Sequence, residues 1–446
     1  MPRPLRLLLG FLAAALSVCV LPYSALALDA EPGEVVVAYK PGVSAHAAGG
    51  PAAAAAPQVI EVGDVPGALR ELRALPGVRY AVPNVKARIA QTTALGEPFL
   101  PNDKGAPGSG GWEQIQWNFA GPFGVGAPEA WANAILAGKP GGKGVTVAVL
   151  DTGVAYANRP PYKISPDLVR SQFVKGYDFV DRDPYPFDRN GHGTHVASTI
   201  AEATNNSFGL TGLAYGVRLM PIRVLDNAGE GNATDIAAGI RFAVRRGVPV
   251  INLSLEFDAE VTASDIPQLL DAIAFAKARG SLVVAAAGNE ATAKVAYPAR
   301  ARDVLSVGAT TEHGCLSEFS NVGRGLDLVA PGGGADRALE GDVNCKPEGT
   351  PGRNITQVTL LGDNVREFGL PDSYEGTSMA VPHVSATAAL VIATGSAGAS
   401  PTPAQLERRL EQTARDLGAA GYDSRYGWGL LDAAAATRVA ATAALR

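Results

Sequence analysis

The sequence predicts an α/β protein built on a doubly wound, mostly parallel sheet, with a small α+β unit ahead of it. Two observations carry this. Six short runs, at 145–150, 218–224, 248–255, 281–287, 304–307 and 326–330, lack the polar alternation of a half-exposed strand and suit strands buried on both faces. Between several of them the apolar spacing turns helical: Ile236, Ile240 and Val244 share one face, and Leu269, Ile273 and Ala276 another, with Gly280 as a stop. Strand and helix alternating from about residue 112 to 446 argue for the wound sheet. The 446 residues suffice for two or three domains, and 52 glycines and 32 prolines without a collagen-like period supply tight turns.

At the N-terminus, Arg3 and Arg6 precede an apolar run over 7–21, and Ala25-Leu26-Ala27 fits a small-x-small cleavage site. Residues 1–27 are therefore expected to be a secretory signal cut after Ala27. A membrane anchor fits less well, because the run is short and Pro22 ends it. No later stretch is expected to reach membrane-spanning length, so the mature chain should be soluble and exported. Loss of Cys19 with the signal leaves Cys315 and Cys345, which in an oxidising compartment are either one disulfide or two separate buried thiols. With 18% charged residues and a net charge of −5, the chain has no basic surplus for nucleic acid or an anionic membrane.

Residues 28–89 read as a compact α+β unit. Strands are expected over 34–39 and 58–62. A helix capped by Asp64 runs to Leu75, with Leu69, Leu72 and Leu75 at helical spacing, and Pro76-Gly77 ends it. Extended chain follows around Pro83-Asn84. The stretch 52–56 is an alanine-rich loop, and 90–111, rich in glycine and proline, reads as an exposed linker open to proteolysis.

The residues that carry chemistry gather where strands end. Asp151 closes the run 145–150, and an acid at a buried strand end needs a partner. Asn289, in Ala-Ala-Ala-Gly-Asn-Glu, puts an amide donor at the same sheet edge. His192 opens the helix that begins in Asn190-Gly191-His192-Gly193-Thr194-His195. Its three-residue spacing from His195 fits zinc poorly, since helical metal pairs usually sit four apart and no acidic third ligand follows. Ser378, in Gly376-Thr377-Ser378-Met379-Ala380-Val381-Pro382-His383, begins a long apolar helix, where free N–H groups favour an oxyanion; a plain N-cap serine is the bland reading. Together they fit acyl transfer: Ser378 as nucleophile, His192 as general base, Asp151 as its orienter, and Asn289 with the Ser378 N–H as oxyanion donors. His383 reads as structural.

The segments VAVLDTGV, NGHGTHVA, AAAGNE and GTSMAVPHV resemble the four signature segments of the subtilisin-like serine proteases, in that family's order, over roughly 101–434. The roles just given are those the family is known for. The resemblance implies a secreted serine endopeptidase acting on polypeptides, expected to be a monomer, with the catalytic domain over 112–446. Residues 28–89, especially LPGVRYAVPN, resemble the family's ferredoxin-like propeptide, an intramolecular inhibitor removed by self-cleavage between 89 and 100. Gly229-Glu230-Gly231 and Leu253-Ser254-Leu255 match the segments that hold an extended substrate, with Gly288 also in the binding set and Ala296 expected to floor a pocket able to take sizeable apolar groups. The chain departs from the family at Glu256 and Phe257, where relatives usually carry two glycines; a carboxylate there either favours a basic side chain or turns to solvent.

The resemblance also implies a structural calcium ion. Its ligands would be the carboxylates of Asp103 and Asp167, the side chain of Asn206 and the carbonyls of Ala203, Phe208 and Leu210. Residues 332–374 exceed what the family core needs and read as a surface insertion near the cleft. A reading of a different class is a catalytically inactive subtilase fold used as a binding module. An α/β-hydrolase esterase is excluded by the order of Asp, His and Ser.

Overall fold

The computed structural model describes residues 30–40, 57–85, 97–106, 108–347 and 349–439. The expected signal over 1–27, the loop at 52–56 and the start of the processing region lie outside the described residues. The chain divides into two compact units, Met1–Thr92 and Thr93–Arg446.

In the first unit, β1 (Ala30–Tyr39), β2 (Gln58–Glu61) and β3 (Val78–Val85) form an antiparallel sheet in the order β2-β1-β3, with α1 (Val65–Ala74) against it. Val35 and Val37 alternate inward and are buried with Val78 and Ala81 against Leu69, Leu72 and Leu75, the face that the helical spacing predicted. Asp64 stands at the N-cap but makes no side-chain cap bond; Pro66 in the first turn has no N–H to satisfy. Among the described residues the unit carries three strands and one helix of the six elements in a ferredoxin-like pattern.

The second unit opens with α2 (Trp112–Ile115), α3 (Trp117–Ala120) and α4 (Ala127–Leu136). Then come β4 (Thr146–Asp151), β5 (Tyr177–Asp178), α5 (His192–Ala201), β6 (Arg218–Arg223), α6 (Ala233–Arg245), β7 (Val250–Leu253), α7 (Pro267–Ala278) and β8 (Leu282–Ala286). They are followed by β9 (Val304–Thr310), β10 (Leu316–Ser317), β11 (Leu328–Pro331), β12 (Asp336–Arg337) and the hairpin of β13 (Thr359–Leu361) with β14 (Asn364–Gly369). The chain closes with α8 (Thr377–Thr394), α9 (Pro403–Thr413) and α10 (Ala433–Thr437).

The main sheet runs β12-β10-β9-β8-β7-β4-β6-β5, with β11 beside β9. From β5 to β9 every neighbour is parallel, and β11 joins in parallel; β10 and β12 are antiparallel. Successive residues of β4 feed different cores. Val147 and Val149 pack with α4, α5 and α8, whereas Ala148 and Leu150 pack with α6 and α7. Helices therefore cover both faces, as the apolar runs required. Chain order reverses at β4, which has β6 on one side and β7 on the other; ligands bind beyond the carboxyl ends of strands at such a switch point.

Three expectations change. The stretch 97–105 is tethered rather than a free linker: Phe99 N–H donates to Pro128 O (3.1 Å), the Trp112 indole to Pro101 O (2.8 Å), and Asp103 is 3% exposed. The later part of 332–374 is no surface insertion, because Ile355, Gln357, Val358, Thr359 and Leu360 are buried. Finally, α8 is long and apolar enough to cross a membrane by length and composition, but 78% of it is buried inside the unit, which explains its apolarity. Cys315 and Cys345 are joined by a disulfide, so of the two sequence alternatives the bridge holds.

Candidate active site

Asp151 is the last residue of β4 and fully buried. Its Oδ1 accepts from the Thr152 N–H (2.7 Å) and from His192 Nδ1 (2.7 Å). A carboxylate only accepts, so Nδ1 carries the proton, and Nε2 of the neutral ring is left as an acceptor. His192 reaches this position because α5 starts directly against the end of β4. A Cβ on Gly193 would lie 2.1 Å from Gly153 O and 3.0 Å from Asp151 Oδ1, so only glycine permits the approach.

Asp188, which the sequence reading missed, fixes that helix start. Its Oδ1 accepts from the Asn190 and Gly191 N–H groups (2.9 and 3.0 Å) and the Thr152 hydroxyl (2.9 Å). Its Oδ2 accepts from the N–H and hydroxyl of Thr194 (2.9 and 2.6 Å). An acid four residues ahead of a helix was the available signal. Burial pulls the His192 pKa down, but the charge and hydrogen bond of Asp151 and the charge of Asp188 outweigh it, so the ring is held above its ordinary value.

Ser378 is the second residue of α8. Pro382 lies one turn on and has no N–H for the Ser378 carbonyl. That carbonyl instead accepts from Ser254 Oγ (2.8 Å), while Ser378 Oγ donates to Ser254 O (3.2 Å). Ser254 is held in turn by Asn252 Nδ2 (3.0 Å), and Asn252 Oδ1 by Ser385 Oγ (2.9 Å). The missing bond of a helical proline thus ties the end of β7 to the start of α8. The Ser378 hydroxyl must turn from Ser254 O before it can offer its proton to His192.

Asn289 follows the end of β8. Its Oδ1 accepts from the Thr377 N–H (2.8 Å) and hydroxyl (3.0 Å), which turns Nδ2 outward. There Nδ2 donates to Glu256 Oε1 (3.0 Å), and the Asn289 backbone N–H donates to Glu256 Oε2 (2.8 Å). Glu256 therefore does not turn to solvent. His192, Ser378, Ser254, Leu255, Glu256 and Gly229–Gly231 line one cleft of about 610 Å³. Leu253, the buried last residue of β7, leads into that wall, and a Cβ built on Gly288 would touch both Glu256 and Ala296.

Two further histidines, His195 and His383, serve the scaffold. His195 is buried, bonded through Nε2 to Ile355 O (2.9 Å) and stacked on Tyr374; burial lowers it to about 3. His383 is buried between Met379 O (2.9 Å) and Asn118 Nδ2 (2.8 Å), and burial lowers it to about 4. Both are neutral near pH 7.

A second cluster lies around residues 203–210. Asp103 accepts from the Asn205 and Asn206 N–H groups (2.7 and 2.9 Å). Asp167 accepts from the Leu210 N–H (2.9 Å) and Asn206 Nδ2 (2.8 Å), and burial lifts its carboxyl to about 7. Asn206 thus turns its amide nitrogen, not its oxygen, toward Asp167; its Oδ1 accepts from the Phe208 N–H (2.8 Å). The Gly105 N–H bonds Gly209 O (2.8 Å) and closes the loop that carries the carbonyls of Ala203, Phe208 and Leu210. Glu202, unforeseen from the sequence, is fully buried with Oε2 unpartnered. Burial and then the charge of Asp167 raise its pKa well above normal. Such an all-oxygen set, carboxylate-rich and short of cations, fits a hard divalent ion. Asp327, Glu407 and Glu411 also place ligand atoms within 4.8 Å of one another, but carboxylate proximity is all that they offer.

The sequence profile of the subtilase family matches residues 142–429. A thermophilic serine proteinase of Bacillus sp. (strain AK1) is 34% identical over 369 residues, 83% of this chain and 75% of that protein. Subtilisin Savinase of Lederbergia lenta is 39% identical over 297 residues, 67% of this chain and 92% of that protein. A protease of known structure from Pseudoalteromonas arctica matches with a TM-score of 0.59 at 30% identity, over 77% of this chain and 99% of that one.

Proposed function

This chain belongs to the subtilase family, and from that membership we propose that it is an exported serine endopeptidase with Ser378 as its nucleophile. The observation that carries the reading is the Asp151–His192 pair, at 2.7 Å, opening onto the same cleft as Ser378. An extended polypeptide lies between Gly229–Gly231 and Leu253–Leu255 as an added strand. Ser378 Oγ attacks the peptide carbonyl as its proton passes to His192 Nε2. The oxyanion takes the Ser378 N–H and Asn289 Nδ2. His192 then gives the proton to the departing amine, which leaves an acyl-enzyme. Water, deprotonated by His192, repeats the sequence, releases the acid and returns Ser378 to its hydroxyl form. Asp151 stays ionised and holds the imidazolium.

Residues 1–27 direct export, and 28–89 act as an inhibitory propeptide removed by self-cleavage between 89 and 100. At the second cluster, Asp103, Asp167 and the 203–210 loop would hold Ca²⁺, which neutralises their carboxylates; Asn206 would present its oxygen after a turn of its amide. Incubation with an unfolded polypeptide should release new N-termini, and Ser378→Ala should abolish this. Equal cleavage by the variant would overturn the reading.

A further inference from the structure

Glu256 turns its carboxylate from the cleft wall toward the chain after β8. A Cβ added to Gly288 would lie 2.1 Å from Asn321 Nδ2, 2.5 Å from Glu256 Oε2 and 3.0 Å from the Cβ of Ala296, so the carboxylate stands, beside the Asn321 amide, in the gap between 254–256 and the chain after β8. If a carbonyl carbon sits at Ser378 Oγ with its oxygen on Asn289 Nδ2, the side chain on the acyl side of the scissile bond projects into that gap.

Charge decides which side chain belongs there. Glu230, Glu256 and Asp258 line the cleft, and among the described lining residues His192 is the one basic group. Lys294 and Arg300 lie beside the 258–261 loop but are spent on the carbonyls of Ala259 and Val261, and Arg300 also stacks on Tyr297. The partners of Glu256 are two N–H groups of one asparagine, not a cation. Burial raises its carboxyl pKa, against the bonds from Asn289 and with the charges of Glu290 and Asp258. A Lys or Arg side chain would supply the missing counter-charge.

The same contact bears on the chemistry. Nδ2 has a second N–H for an oxyanion, but an oxyanion there would develop beside the negative charge of Glu256, and like charges in a sheltered site repel strongly. We propose that Glu256 is a specificity-determining carboxylate that takes the cation of a Lys or Arg side chain on the acyl side of the cleaved bond. By accepting that cation it relieves the repulsion at the Asn289 amide. Recognition of the basic residue and stabilisation of the oxyanion are then one event, which places part of the preference in kcat rather than in KM. This rests on the proposed roles of Ser378 and Asn289.

The test compares kcat and KM for peptide substrates that differ only in Arg, Lys or Leu at that position, with wild-type protein and with Glu256→Gln and Glu256→Gly. Wild type should favour Arg and Lys over Leu by roughly 10–100-fold, the range of one charge-assisted hydrogen bond. Both variants should lose that preference, and kcat on the Leu substrate should rise. A wild-type ratio at or below one overturns the proposal without any variant, and an unchanged ratio in folded Glu256→Gln overturns it too. Fluorophosphonate labelling run beside these assays separates the readings: absence of label at Ser378 removes the protease reading and this proposal with it, whereas normal labelling with a flat side-chain profile removes this proposal alone.

Discussion

Pro382 and Asp188 show how single residues set the chemistry of others. Pro382 frees one carbonyl and so couples Ser254 to Ser378; Asp188 gathers the start of α5 and adds negative charge near His192. As the proposed general base, His192 must be neutral to accept the Ser378 proton, and its pKa is raised above the ordinary value of about 6.5. The acid limb of kcat/KM should therefore fall above pH 6.5, and Asp188→Asn, by removing one raising charge, should move it to lower pH. A limb that stays put in the folded variant would contradict the assignment. The raised histidine pKa also stabilises the fold at low pH, and that contribution is lost as pH rises through the folded value. That Asp151, His192, Asn289 and Ser378 stand where strands end and helices begin was legible in the sequence because each lies in a short local motif. Asp188 was missed because its work is capping. Tyr374 and Thr359, which also brace α5, were invisible because their partners lie far along the chain: Thr359 Oγ1 donates to Gly191 O at a separation of 168 residues.

Elements reveal what a linear reading cannot place. The parallel strands were recognisable because burial on both faces leaves an unbroken apolar run, whereas the two-residue strands β5, β10 and β12 have no pattern to read. The length of 332–374 suggested a surface insertion, yet Ile355 O and Val358 O take His195 Nε2 and Ser198 Oγ (both 2.9 Å), so this segment braces the helix that presents His192. The 203–210 loop gathers buried carboxylates short of cations, and a divalent ion bound only by the folded state stabilises it by mass action. Chelation should lower the thermal midpoint and calcium should restore it; an unchanged midpoint would count against the site. On α9, burial lifts Glu411 to about 7, and burial lifts its neighbour Asp327 to about 6. Acids with raised folded-state pKa values hold protons that the unfolded chain releases, so stability falls as pH climbs from about 4 through 7. Glu411→Gln should raise the midpoint at pH 8 and change it little at pH 5, where a uniform shift would refute the cause.

At the scale of the whole molecule, the sequence separated a small N-terminal unit from a large wound-sheet unit, and the chain divides near Thr92. What it placed wrongly was the exposure of 97–105: the family resemblance brought Asp103 to the 203–210 loop, but nothing local signals that Phe99 is tethered near residue 128. The Cys315–Cys345 bridge closes a loop with a sequence separation of 30 residues. By loop-closure entropy it should contribute about 3–4 kcal/mol. Cys345→Ser should lower the unfolding free energy by that order in denaturant titrations, and an unaltered midpoint would show the bridge to be idle. The proposed function turns on Ser378 acting with Asp151, His192 and Asn289 as one nucleophilic centre. Its most direct test is stoichiometric labelling with a fluorophosphonate, followed by mapping of the modified residue and by labelling rates for His192→Ala. One equivalent of label is expected, all on Ser378, at a rate that collapses in His192→Ala; no label, or label at another residue with Ser378 untouched, would contradict that role.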